Sequence, residues 1–172
     1  MRRIIYLVLI AGAIWLGFRY YQSRQEWHAY SSPEWRFAAE FPEQPQEELK
    51  TVKTRDGPVE MHVVHATRGR RDYAVGYCPY GGDWEEVPVE KRMQSVALRA
   101  FESGVKFRSS RAIKSGDVEG VEIRFQLPNE LDVITARCFV RGGRLYMVMV
   151  NTPQFDLWPD DSDRFFDSFK LQ

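Results

Sequence analysis

The chain has 172 residues with 24 basic and 24 acidic side chains, a formal net charge of zero, and its 44% apolar and 14% aromatic content excludes a disordered tail. The charge is unevenly placed: residues 1–24 hold four arginines and no acid, leaving 20 basic against 24 acidic residues for the rest. A mildly acidic body argues against nucleic acid as a partner.

Residues 4–18 form an uncharged run of fifteen, preceded by Arg2 and Arg3 and followed by Arg19 and Arg24. At about 1.5 Å per residue it covers roughly 22 Å of a hydrocarbon core about 30 Å thick. Arginine snorkelling and an interfacial belt of Trp15, Tyr20 and Tyr21 can make up the difference. The one small-x-small triplet, Ala11-Gly12-Ala13, lies inside the run, and nothing after Phe18 resembles a cleavage site. The expectation is an uncleaved signal-anchor: a transmembrane helix over residues 1–24 with Arg2, Arg3, Arg19 and Arg24 flanking the membrane. Residues 25–34 are read as a juxtamembrane linker that prolongs this helix until Ser32-Pro33 breaks it. The remaining 35–172 are one domain, placed outside the cytoplasm by a single pass through a bacterial inner membrane.

From Trp35 the apolar period is two: Trp35, Phe37, Ala39 and Phe41 alternate with polar or small residues until Pro42, which reads as a strand with one apolar face. Runs at 47–54 and 59–67 flank Asp56-Gly57, a hairpin signal, and a turn at 68–71 leads into a strand over 72–80. Between Val87 and Gly104 the spacing turns helical, with Val89, Met93, Val96, Ala97, Ala100 and Phe101 on one stripe. Four more strands are expected at 105–114, 118–127, 131–141 and 144–151. They are joined by Ser115-Gly116-Asp117, Pro128-Asn129 and Gly142-Gly143. The last two are apolar on both faces, which places them centrally in a sheet. A closing helix near Pro159-Asp160-Asp161 buries Phe165, Phe166 and Phe169. This order gives an α+β fold, an antiparallel sheet with helices packed on its faces.

The segment Trp35-Arg-Phe-Ala-Ala-Glu-Phe-Pro42, the central amphipathic helix, the run from Cys138 to Val150 and the ending from Arg164 to Leu171 together resemble the PsbP-like superfamily, nearest to its small exported bacterial domains. The resemblance covers nearly all of residues 35–171 and implies an α-β-α sandwich. Its known members bind protein partners, at photosystem II or on the small GTPase Ran, and it implies no shared catalytic residue.

Candidate chemistry is sparse. His62 and His65, three apart in a strand, point to opposite faces and cannot converge on one metal ion. Asp160, Asp161 and Asp163 suit the capping of the closing helix and lack the glycine and terminal glutamate of a calcium loop. No metal or cofactor is expected. Cys78 and Cys138, sixty residues apart, could form a disulfide in an exported domain, but Cys138 shares a face with Ile134, Ala136 and Val140 and reads as a buried apolar residue. Tyr80 and Trp84, on a Gly-containing connection, and Trp158, before the closing helix, are candidate binding aromatics. The basic groups Arg68, Arg70, Arg71 and Lys106, Arg108, Arg111, Lys114 could meet anionic headgroups near the anchor but read first as solvated charge. The functional expectation is a membrane-tethered, non-catalytic protein-interaction domain. The alternatives are a hydrolase with a dispersed site and a carrier of a small apolar ligand; a cleft with converging titratable groups favours the first and a sizeable apolar cavity the second.

Overall fold

A computed structural model describes residues 12–15, 17, 26–54, 57–80, 87–88, 91, 105–128, 131–153 and 161–172. Its strands are β1 (His28–Ser32), β2 (Phe37–Phe41), β3 (Gln46–Thr54), β4 (Gly57–Arg68), β5 (Arg71–Pro79), β6 (Lys106–Ser115), β7 (Val118–Gln126), β8 (Asp132–Arg141), β9 (Arg144–Pro153) and β10 (Lys170–Leu171). A short helix, α1 (Ser162–Ser168), precedes the last strand. Seven strands form one antiparallel sheet in the order β3-β4-β5-β9-β8-β7-β6, and β1, β2 and β10 form a second with β2 in the middle. The runs apolar on both faces, β8 and β9, lie inside the large sheet as their composition requires.

Cross-strand register explains the core. Residues directly paired share a face of the sheet, and one row reads Val64, Val75, Val148 and then Arg137, Glu122, Arg111. The next rows read Ala66, Tyr73, Val150, Thr135, Arg124 and, on the other side, His62, Tyr77, Tyr146, Phe139, Gly120. This face is therefore apolar under β4, β5 and β9 and charged towards β6. Over its apolar half lie Phe37 and Phe41 of β2 together with Phe165 and Phe169, all buried. Ring pairs tie the layers together: Phe37 with Tyr77 at 5.1 Å, Tyr73 with Phe165 at 5.4 Å and Phe139 with Phe169 at 5.8 Å between centroids. The turn at 33–36, where Arg36 adopts φ 52, is held down by two sheet side chains. Tyr146 Oη donates to the Trp35 carbonyl at 2.8 Å and Arg144 Nη1 to the Glu34 carbonyl at 3.0 Å. The opposite face buries Val63, Cys78, Val121, Ile123, Ala136 and Val140.

Several expectations are corrected. The fold is not an α+β α-β-α sandwich: about two-thirds of the described residues are strand and about a tenth helix. The layer over the charged-and-apolar face is a three-stranded sheet plus one seven-residue helix. The cause is local. His28–Ser32 alternates half-buried and exposed residues and pairs with β2 where a prolonged helix was expected, and Lys170–Leu171 leaves α1 to pair with Ala38 and Phe37.

The N-terminal transmembrane helix is corrected as well. Among the described residues no helix is long and apolar enough to cross a membrane, and the fifteen uncharged residues fall about 8 Å short of the hydrocarbon thickness. Residues 12–15 are helical, with Ile14 and Trp15 exposed. That finding does not support the signal-anchor, the membrane as a partner or the single-pass placement. The central helix expected at 87–104 lies outside the described residues apart from Val87, Pro88 and Lys91.

Candidate functional site

The charged half of the large sheet is assembled by the hairpin of β6 and β7. Gly116, at φ 63, and Asp117 make a two-residue turn that pairs Ser115 with Val118, and counting back along the strands puts Arg111 opposite Glu122. Glu122 in turn pairs with Arg137 on β8. Because Val121 and Ile123 take the opposite, apolar face, Glu122 is forced onto this one and is only 4% exposed.

Arg111 grips the carboxylate with two bonds, Nε to Oε1 at 2.8 Å and Nη2 to Oε2 at 2.9 Å, and Arg137 Nε donates to Oε2 at 2.9 Å. Burial by itself pushes the Glu122 pKa up. The hydrogen bonds and charges of Arg111 and Arg137 outweigh it and hold the carboxyl below the usual glutamate range. The guanidinium of Arg137 lies 4.5 Å from the Phe166 ring centre, and its Nη1 is 3.6 Å from Asp167 Oδ1. Arg124 Nη2 stands 3.8 Å from Glu122 Oε1, too far for a hydrogen bond.

These side chains line an open cleft of about 220 Å³ between the sheet and α1, walled also by Thr135, Thr152, Asp163 and Phe166. Three guanidiniums thus share one buried carboxylate. Arg111 and Arg124 are 63% and 55% exposed, so their remaining N–H groups are open to a ligand. A planar fork of donors fits a carboxylate or phosphate in two-point contact. Glu122 is committed to its ion pairs and held ionised, which disqualifies it as a proton donor near neutral pH.

Other candidates fall elsewhere. Tyr80 is half-buried, and its N–H donates to the Gly143 carbonyl at 2.8 Å, carrying the β5–β9 ladder past Pro79. Trp84 and Trp158 lie outside the described residues, as do Arg2, Arg3, Arg19 and Arg24. His62 stacks on Tyr77 at 5.3 Å while His65 lies on the other face, 3.9 Å from Glu48. Asp161 stands at the N-cap of α1 but makes no side-chain capping bond; its carboxylate meets Arg68 at 3.5 Å.

Arg68 and Arg71 are buried, which corrects their reading as solvated charge. Arg68 donates to the Pro42 carbonyl and pairs with Glu43 at 3.2 Å. Trp27 packs against it, 5.5 Å from its guanidinium, and against Arg164 at 4.4 Å. Both cysteines are free thiols. Cys78 pairs with Leu145 and Cys138 with Met147, so β9 separates them by two strand spacings, about 10 Å, beyond the reach of a disulfide.

The second basic group, Lys106, Arg108, Arg111 and Lys114, turns out to be the edge strand that borders the cleft. Sequence reasoning missed Glu122 altogether. The signal was present in the two-residue turn at Gly116-Asp117, whose register sets an arginine against that glutamate. No family model matches the chain, and no curated protein matches it either.

Proposed function

We propose that this chain is a binding domain without catalytic activity that captures anionic groups of a protein partner in the guanidinium cleft. Arg124 carries the reading: it is held beside the saturated Glu122 carboxylate, yet among the described residues no acceptor lies within hydrogen-bond distance of its guanidinium. An anion entering the cleft gains that fork and the outward donors of Arg111 without dismantling an existing bond. A hydrolase would need a titrating group held in this cleft, and of its two carboxylates Glu122 is locked by arginines and Asp163 is exposed. A carrier of apolar ligands would need an apolar wall, and arginine and threonine dominate here.

The test is a titration of the protein with an acidic peptide at low ionic strength. Binding should weaken steeply with salt. Arg124→Ala should weaken it about tenfold or more, the loss of a charge-assisted pair, while leaving the thermal midpoint unchanged. Binding that is indifferent to Arg124→Ala, or none at all, would remove the cleft as the site.

A further inference from the structure

We infer that the partner presents an extended acidic segment that adds to the large sheet as a new strand along the free edge of β6, an inference that rests on the anion-binding reading of the cleft. Among the described residues β6 pairs with β7 alone, and it is the last strand of the sheet. Its ten residues are exposed along most of their length. A strand of that length offers about 33 Å of edge. The one irregularity, between Phe107 and Ser109, sits at one end; from Ser109 to Ser115 the register is regular. Edges are usually blunted by bulges, prolines or charges, and on β6 the charges are all of one sign.

The sequence Lys-Phe-Arg-Ser-Ser-Arg-Ala-Ile-Lys-Ser carries four cations and no carboxylate. Arg108 donates to Gln126, a neutral acceptor. Lys114 is 3.6 Å from Glu119, and among the described residues Lys106 has no carboxylate partner. Between the cations stand Ser109, Ser110 and Ala112, small enough to let another backbone approach. Four cations repel the same edge of a second copy, so these charges guard against self-pairing while attracting an acidic strand. The opposite edge, β3, has Glu47, Glu48, Lys50 and Lys53 and no such bias. Alternation sends Arg111 to the cleft face and Lys114 to the other. An incoming strand that carries carboxylates at alternate positions would therefore meet Arg111 and the cleft on one side. Main-chain bonds would supply affinity and the carboxylates specificity.

The experiment uses the full chain and an end-blocked peptide, Glu-Val-Glu-Thr-Glu-Val-Glu-Thr. It is compared with the same peptide N-methylated at alternate residues, with glutarate, and with phosphatidylserine vesicles. Strand addition predicts that the unmodified peptide binds and slows hydrogen exchange of the outward β6 amides. N-methylation should cost about tenfold or more, because it removes ladder donors. Lys106→Glu with Arg108→Glu, both on the exposed edge, should weaken the peptide by a similar factor. Equal affinity for the N-methylated peptide, or unchanged exchange in β6 with peptide bound, would overturn strand addition and leave the anion site standing. Failure of both peptide and glutarate would overturn both readings. Capture of vesicles without the peptide would reassign the edge to a lipid surface.

Discussion

Replacing Glu122 by glutamine keeps the side chain's shape and removes its charge, so it isolates what the carboxylate does. In the folded protein that group accepts three charge-assisted bonds, two from Arg111 and one from Arg137, at 2.8 to 2.9 Å. The two partners do not lose equally. Arg111 is 63% exposed and can rehydrate, so its share is that of a surface pair, about 0–1 kcal/mol. Arg137 is half-buried and packed against Phe166, and it keeps Asp167 at 3.6 Å, so its share falls below the roughly 3–5 kcal/mol of a buried ion left without a partner. The glutamine oxygen recovers part of this, while its NH₂ must face a guanidinium donor. A net loss of about 2 kcal/mol follows.

Urea unfolding at pH 7 should register that loss as a midpoint lower by about 1–2 M. A second signature comes from pH. The folded pKa of Glu122 lies below its unfolded value of about 4.3. Its contribution is therefore complete above that unfolded value and disappears as the pH falls through the folded one. The gap between wild type and Glu122→Gln should narrow as the pH falls below about 4. A difference under about 1 kcal/mol at pH 7, or one that stays constant down to pH 2, would show that the three bonds do not hold the sheet end as argued.

A methyl group at Gly120 would sit 2.4 Å from Phe139 Cδ1 and 2.7 Å from the Cys138 carbonyl oxygen. Phe139 is stacked on Phe169 and cannot swing clear, so Gly120→Ala should cost about 1–3 kcal/mol, seen as a fall of several degrees in the thermal midpoint; an unchanged midpoint would mean the ring yields. Phe169→Ala removes a ring in contact with Phe37, Phe139 and Tyr146 and should cost about 3–5 kcal/mol in chemical unfolding. Burial pushes the Cys138 thiol up to about 12 and raises that of Cys78. Both should resist a disulfide reagent at pH 8 in the native state and react at once in denaturant; fast native labelling would contradict their placement.

The strands of the large sheet were legible because each is bounded by turn residues and carries either period-two alternation or, in β8 and β9, a run apolar on both faces. The run expected at 118–127 is β7 at Val118–Gln126, and that expected at 131–141 is β8 at Asp132–Arg141. Where the reading failed, the sequence carried two patterns and the weaker-looking one won. Residues 19–32 lack glycine and proline, which permits a helix without requiring one. His28, Tyr30 and Ser32 alternate with Ala29 and Ser31 and find a ready partner in β2. The two residues of β10 are too few to show any period, and only the neighbouring edge of β2 makes them a strand.

The cleft was hidden for a different reason. Composition ranks Arg111, Glu122 and Arg137 as surface charge, and each alone deserves that reading. What converts them into a site is register, since a strand pair one residue out of step would turn Glu122 towards Ile123's face and leave the arginines unmatched. That register is fixed by Gly116, whose φ of 63 belongs to a region few other residues enter. The arrangement thus has its origin in a turn several residues from the charges it brings together. A longer loop at Gly116-Asp117 would move Arg111 off Glu122 and shift the cations of β6 along its edge at the same time. The cleft and the edge are set by one hairpin, so a partner that reads one necessarily reads the other in a fixed frame.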